Sequence, residues 1–322
     1  MGYVVGTDEA GYGPNLGPLV VSATVWQVHD GCDAAGLDRA LAGLIARSPG
    51  EADRSGPQVI IGDSKVLYQS GKGLGHLERG LWAAMALLNR HPQTWRQLWD
   101  VLAPGAAEAW PAAPWFAQYD VAVPLDARAG QWESAAAAFH EQIERLGIRL
   151  VAMRSRAVFP DAFNRLLQEH DSKGSALSHV TLGLAAGLID ALPDGPVAVV
   201  CDKHGGRDRY GQLLAFHFPD RFVEICGEGR ARSVYRLGPP PRRIEFCFQA
   251  RAESCVAAAM ASMASKYLRE LAMRAWNEFW CQRVEGLRPT AGYPADARRF
   301  KDAIAATQRE LGIEDAQIWR EK

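Results

Sequence analysis

Two runs of β-branched and aromatic residues, at 3–8 and 19–27, open the chain on either side of a Gly/Pro-rich loop and predict a β-hairpin. The pattern over 33–47 predicts a helix and 49–57 a loop. Val59-Ile60-Ile61 then forms a short buried strand that ends at Gly62-Asp63-Ser64-Lys65. Residues 75–90 suit an amphipathic helix. Gln118–Pro124 predicts a strand, 131–146 a helix, Arg149–Val158 a strand and 176–192 a helix of small and apolar residues. The continuous apolar run Val197-Ala198-Val199-Val200-Cys201 is what a strand covered on both faces requires, and it ends at Asp202. Residues 213–250 read as β-hairpin material, broken at Gly227–Gly229 and Pro239–Pro241. Ala252 to Glu285 contains no Gly or Pro and is rich in alanine, so a long helix is expected. The tail turns at Gly286–Pro294 and closes with a helix near 295–311.

A hairpin, then alternating strands and helices, then a helical end predict an α/β architecture with a mixed sheet and helices on both faces. Residues 92–118 hold Trp95, Trp99, Trp110 and Trp115 among prolines and alanines. Such a segment reads as an insertion packed on the main body, with an aromatic surface for stacking bases as the alternative. The 322 residues suffice for one large domain with insertions, and no apolar run approaches a membrane span. The N-terminus lacks a basic, apolar leader, and six scattered cysteines without a Cys-x-x-Cys pair argue against a zinc site or disulfides; a reduced, cytoplasmic protein is expected. Net charge is −1, but residues from 201 onward carry 21 Lys+Arg against 16 Asp+Glu, leaving 15 against 21 for the first 200. That skew fits either a solvated Arg-rich face or a phosphate-facing surface.

The chemistry concentrates in Gly6-Thr7-Asp8-Glu9-Ala10-Gly11-Tyr12-Gly13-Pro14-Asn15-Leu16-Gly17-Pro18. Adjacent carboxylates at a strand end cannot share an apolar core, because each desolvated charge costs several kcal/mol without a counter-charge. A divalent cation stabilises them, and oxygen-only ligands favour Mg²⁺ or Mn²⁺ over zinc. The bland alternative makes Asp8 a turn former and Glu9 a solvated side chain. Asp202 also sits at the C-terminal end of a predicted strand, the edge at which open α/β sheets bind ligands.

Asp8-Glu9-Ala10-Gly11-x-Gly13-Pro14-x-x-Gly17-Pro18 resembles the N-terminal signature of type 2 ribonucleases H, the ribonuclease HII/HIII family, which cut the RNA strand of RNA–DNA hybrids. Three further segments fall in the same order: Gly62-Asp63-Ser64-Lys65, Val199-Val200-Cys201-Asp202 and Ala261-Ser262-Met263-Ala264-Ser265-Lys266-Tyr267-Leu268-Arg269-Glu270. Gly292-Tyr293-Pro294 is a weaker echo of a Gly-Tyr segment near the family's C-terminus. The resemblance implies an RNase H-like mixed five-stranded sheet flanked by helices. Residues 1–285 would form the catalytic domain, with insertions at about 92–118 and 205–245, and 286–322 a helical extension packed on it.

The family's metal ligands carry over to Asp8, Glu9 and Asp202; the fourth falls near Ala252, and Glu253, at the start of the predicted long helix, is the carboxylate available there. Its alternative reading is an ordinary first-turn glutamate. Two Mg²⁺ or Mn²⁺ ions are implied, as is hydrolysis leaving a 3′-hydroxyl and a 5′-phosphate. By the same resemblance Gly11 and Gly13 meet the ribose 2′-hydroxyl, and Ser64, Lys65 and Lys266 face the substrate, Lys266 having a solvated helix lysine as its alternative. Tyr12 stands where the family usually has Arg, Lys or Gln; it supplies no positive charge but can stack on a sugar or base. Tyr293 stacks on a sugar or packs a turn, and His204 protonates a leaving group or is an exposed loop residue. Arg207, Arg209, Arg230, Arg232, Arg242 and Arg243 lie in the second insertion, either as a nucleic-acid clamp or as decoration of a surface hairpin.

The expected partner is an RNA–DNA hybrid or a ribonucleotide-containing duplex, met by a monomer away from membranes. The alternatives are a non-cleaving nucleic-acid-binding relative and an actin/hexokinase-like phosphotransferase. The latter needs a second phosphate loop and an adenosine motif, neither of which is found.

Overall fold

The hairpin forms as expected. In this computed structural model, which describes residues 1–322 except 53–57, 69–72, 129, 131, 241 and 322, β1 (Gly2–Ala10) pairs antiparallel with β2 (Leu19–Val28), from Gly2↔Val28 to Ala10↔Val20. β3 (Ile45–Ala46) and β4 (Val59–Ile60) make a separate two-stranded pair. β5 (Arg149–Val158) lies antiparallel on β2, and β6 (Val197–Asp202) lies parallel to β1. β7 (Val223–Gly227), β8 (Arg232–Leu237) and β9 (Ile244–Gln249) follow. The main sheet runs β5-β2-β1-β6-β9-β8-β7. It is a mixed sheet with helices on both faces, but of seven strands rather than five: the insertion between β6 and β9 adds the β7–β8 hairpin as an outer edge.

One face of β1 lies hard against the helix Val256–Cys281. A Cβ built on Gly6 would fall 2.1 Å from the carbonyl carbon of Ala257, so only glycine allows this approach. The first turns of that helix, Val256 to Ala261, are fully buried and mostly alanine, which lets backbone meet backbone. The opposite face packs Val5 and Val199 against Leu182 and Ile189 of the helix Lys173–Asp190. Burying a Val, Leu or Ile side chain contributes about 1.5–3 kcal/mol, and β6 is apolar throughout because both faces are covered.

The four tryptophans of 92–118 resolve as packing. All are buried, Trp95 contacting Trp99, Trp110 and Phe116 at 4.9–5.5 Å and Trp115 contacting Trp276 at 4.5 Å. They therefore offer no stacking surface.

Several elements differ from the sequence expectation. The helix expected over 33–47 ends at Leu41, and β3 follows. Residues 49–52 form a short helix, Pro49–Ala52, while 53–57 of the expected loop, 131 of the expected helix and Pro241 of the expected break lie outside the described residues. Gln118–Pro124 is not a strand; it is tied to 93–95 through Trp95 N to Val121 O and Val123 N to Gln93 O, and its proline has no N–H to extend a ladder. Residues 211–217 are a helix, Gly211–His217, because Leu213 and Leu214 bury together against the sheet. The long helix begins at Val256 rather than 252. Arg251 sits in the left-handed region (φ 61°), Ala252–Ser254 form a single 3-10 turn, and Val256 N is capped from outside by Asp38 Oδ1 at 2.7 Å. The tail helix spans Pro294–Glu310, with a further short helix Asp315–Ile318.

Candidate active site

β1, β6 and β9 are mutually parallel, so their C-terminal ends share one edge of the sheet. The last registered β1–β6 pair is Thr7↔Cys201. Asp8 and Asp202 each follow it by one residue, on the same face of strands spaced about 4.8 Å apart. Asp202 pairs in turn with Gln249, and Glu253 lies four residues beyond on the 3-10 turn. Thus three strand ends bring together carboxylates spread over most of the sequence.

Their electrostatics show the proximity. The Asp8 carboxyl is pushed up to about 7, first by burial and then by the negative charges of Asp202 and Glu253. A hydrogen bond from Ser262 and one from the Glu9 backbone N–H, at 2.9 Å, oppose the rise. Glu9 is raised well above the usual carboxylate range, again by burial first, then by Asp8 and Asp202; Lys65 lowers it. Both acids keep partial contact with solvent. This edge of the sheet thus carries an excess of negative charge, with Lys65 as a nearby cation. The donor chemistry fits a hard divalent cation. Among the described residues, however, no group of three or more Asp, Glu, His or Cys side chains is arranged to hold a metal ion.

The Asp63-Ser64-Lys65 segment and the Ala261–Glu270 helix segment meet here as well. Asp63 caps the short helix Ser64–Leu67 by accepting from Lys65 N at 2.9 Å, which fixes the turn that exposes Lys65. Ser64 is buried, with its hydroxyl 2.9 Å from that of Ser262, the residue that bonds Asp8. Ser265 Oγ donates to the Asp8 carbonyl at 2.9 Å. Lys266 is engaged: its Nζ lies 2.6 Å from Glu270 Oε1 and 4.6 Å from the centre of the Tyr68 ring.

Arg269, fully buried, holds the Gly/Pro loop. Its guanidinium donates to the carbonyls of Pro18 (2.6 Å), Leu16 (3.2 Å) and Ala291 (3.1 Å), tying residues 16–18 and 291 to the long helix. Burial draws its pKa down to about 10. Gly11 has φ +88°, and a Cβ there would meet Pro18 O at 2.6 Å. Gly292 has φ +82° and a Cβ would meet Leu16 O at 2.7 Å, while its own carbonyl accepts from Asn15 N at 2.8 Å. The Gly-Tyr segment is therefore docked on the N-terminal loop. Gly13 is open: its nearest neighbour is Cε1 of the largely exposed Tyr293, 3.9 Å from a built Cβ.

Tyr12 leans the other way. A Cβ on Gly205 would lie 2.5 Å from its hydroxyl, and burial and Glu9 raise its pKa while Arg207 opposes. His204 fits neither of its expected roles. It is buried against Tyr210 and Phe248, its Nδ1 is 2.9 Å from Ser178 Oγ, and burial drives its pKa down to about 3. It is a neutral core residue.

The six arginines of the second insertion do not form one clamp. Arg207 and Arg209 follow Asp202, and Arg232 pairs with Gln249, so these lie toward the acidic edge. Arg242 and Arg243 lie at the opposite end, beside the start of β6, where Val197 N bonds the Arg243 carbonyl and Arg242 pairs with Asp194.

Solved ribonuclease HII and HIII structures align with nearly the whole chain. A structure of the PCNA:RNase HII complex from Archaeoglobus fulgidus aligns over 99% of this chain and 94% of its own, at 13% identity and TM-score 0.44. The ribonuclease H2 from Pyrococcus horikoshii OT3 aligns over 98% and 92%, at 14% identity and TM-score 0.46. Bst-RNase HIII in complex with Mn²⁺ aligns over 99% of this chain and 65% of its own, at 15% identity and TM-score 0.43. No family model matches the chain, and no curated protein matches it by sequence. No helix among the described residues is long and apolar enough to cross a membrane.

Ser262, Ser265 and Arg269 had no assigned role from sequence. Their spacing of three and four places them on one helical face, the signal that identifies them.

Proposed function

We propose that this chain is a metal-dependent endonuclease that hydrolyses the RNA strand, or embedded ribonucleotides, of RNA–DNA hybrids and leaves 3′-hydroxyl and 5′-phosphate ends. The observation that supports the reading is the register that sets Asp8 and Asp202 at the C-terminal ends of neighbouring parallel strands, with Glu9 beside Asp8 and the charges of Asp202 and Glu253 acting on the Asp8 carboxyl. In this reading the four carboxylates hold Mg²⁺ or Mn²⁺, which when bound supplies charge neutralisation and a more acidic water. Oxygen-only donors suit these ions.

The other residues bind and orient. Gly13 leaves room for a ribose beside the exposed Tyr293 ring, which can stack on the sugar. Gly11 sets the loop that presents this backbone, and Arg269 fixes that loop from beneath. Lys65, exposed on a capped turn near Glu9, contacts a phosphate; Lys266 does so on releasing Glu270. Ser64 acts through Ser262 on Asp8. Residues 1–285 form the catalytic unit and 286–322 an extension that ties the Gly/Pro loop from outside, through Arg320 N to Asn15 O and the Gly292 contacts. The protein acts as a monomer.

A non-cleaving hybrid-binding relative is the second reading, favoured by Tyr12, which turns its hydroxyl toward Gly205 and offers the substrate no cation. Incubation with an end-labelled hybrid in Mg²⁺ or Mn²⁺ separates the two. The nuclease reading expects cutting that is lost in Asp8→Asn; binding that is unchanged in Asp8→Asn with no cutting supports the second.

A further inference from the structure

The helix Gly211–His217 and the outermost strand β7 enclose a groove of about 1090 Å³ that no part of the proposed reaction uses. Phe216, Phe222 and Ile225 line it at 67%, 84% and 59% exposure. A soluble surface seldom leaves such side chains open together without a partner. Arg207, Arg209 and Arg221 line the same groove, against Glu228 as the one carboxylate among its described lining residues. Glu228 is already committed, accepting from the Tyr235 hydroxyl and lying 3.7 Å from Arg209. The groove is therefore cationic as well as aromatic.

Its position is specific. Arg207 donates to Ser175 Oγ at 2.6 Å, while its buried Nε has no hydrogen-bond partner among the described residues. Arg207 follows the strand end at Asp202 by five residues, and Gly205 of the same loop packs on Tyr12, where a Cβ would lie 2.5 Å from the Tyr12 hydroxyl, so one end of the groove opens beside the acidic edge. The other end reaches Arg221 and Phe222, ahead of Val223, which pairs with Leu237 at the far end of the sheet. The groove thus runs along the free edge of the sheet, away from the candidate cleavage site.

We propose that this groove binds an unpaired nucleic-acid strand flanking the cleavage site, with phosphates on Arg207, Arg209 and Arg221 and bases stacked on Phe216 and Phe222. The inference rests on the nuclease reading for its orientation but not for its chemistry. Arginines interleaved with open aromatic faces suit single strands, whose bases are free to stack; a duplex keeps its bases inside. A peptide added to β7 as an eighth strand would use the backbone edge and has no need of three arginines.

The test uses the full chain in EDTA, so that binding is read without cutting. Fluorescence anisotropy is measured with a labelled oligothymidylate of about fifteen nucleotides and with a blunt RNA–DNA hybrid. The double variant Phe216→Ala/Phe222→Ala is expected to weaken oligothymidylate binding about tenfold or more and blunt-hybrid binding about twofold or less. Arg209→Ala, at a highly exposed side chain, is expected to weaken the same binding and lower its salt slope by about one. Unchanged oligothymidylate binding in both variants, or equal loss on the blunt hybrid, overturns the proposal. So does a wild-type dimer in sedimentation velocity that the double variant dissociates while single-strand binding stays intact. Wild-type protein that binds oligothymidylate through these residues but cuts no hybrid leaves this inference standing and removes the nuclease reading instead.

Discussion

Ser64 and Ser262 hold their hydroxyls 2.9 Å apart although 198 residues separate them. Ser262 also bonds the Asp8 carboxyl, so one short chain of hydrogen bonds joins three motifs that look independent in the sequence. Ser262→Ala removes the interaction that most opposes the rise of the Asp8 pKa. The expected result is a pH–rate profile for hybrid cleavage whose acidic limb moves upward, with a stability loss of about 1 kcal/mol. A profile that keeps its wild-type midpoint contradicts the link.

The raised Asp8 carboxyl has a signed consequence for stability. Its pKa is about 7 in the folded chain against an ordinary 3.8, so the folded state holds the proton more tightly than the unfolded one. Folding is therefore unpenalised at low pH and loses stability as pH rises from about 4 through about 7. Asp8→Asn removes that cost. Without divalent cations it should be more stable than wild type at pH 8 by about 1–2 kcal/mol, after allowance for partial exposure, and indistinguishable at pH 4. Urea melts at the two pH values measure it, and a variant less stable at pH 8 contradicts the assignment.

Gly11 and Gly13 separate structure from substrate contact. Gly11→Ala places a Cβ on a left-handed backbone and 2.6 Å from Pro18 O; a loss of about 1–3 kcal/mol in stability is expected. Gly13→Ala meets only the Tyr293 ring at 3.9 Å, so its Tm should stay at the wild-type value while cleavage falls about tenfold or more. Equal thermal losses in both variants would show that Gly13, too, is a structural glycine.

Arg269 replaces a sequence of loop contacts with one buried group. Arg269→Ala leaves the carbonyls of Pro18, Leu16 and Ala291 without their donor, at about 1–3 kcal/mol for each that water does not reach. Hydrogen exchange should speed at the amides of residues 15–17 and 290–293 before it does in β6. Exchange that rises uniformly instead means that the clamp is not local.

Much of this organisation was legible before the structure. β5 spans the predicted Arg149–Val158, and β1, β2 and β6 differ from prediction by a residue or two, because apolar runs bounded by glycine, proline or acid define strand ends. Asp8 and Asp202 were readable for the same reason: an acid that terminates a buried strand must face an edge. What was not legible depends on partners distant in sequence. Glu253 leaves the long helix because Asp38, from another element, caps Val256. His204 looks like a loop residue until Tyr210 and Phe248 fold over it. The arginines at 242–243 seemed to join those at 207–209, and only the register of β6 on β9 places them at opposite ends of the sheet. Leu213 and Leu214 are helical because the sheet beneath needs a cover, which no local pattern announces.

The central claim is that Asp8, Glu9, Asp202 and Glu253 act together through a divalent cation on an RNA-containing strand. Metal-dependent cleavage of an end-labelled panel (RNA–DNA hybrid, single-ribonucleotide duplex, DNA duplex), run beside Asp202→Asn, tests it most directly. Cutting of RNA-containing duplexes in Mg²⁺ or Mn²⁺ is expected, with none of DNA alone and a loss of at least about a hundredfold in Asp202→Asn. Wild-type protein that leaves every duplex intact with either ion, or an Asp202→Asn variant as active as wild type, contradicts it.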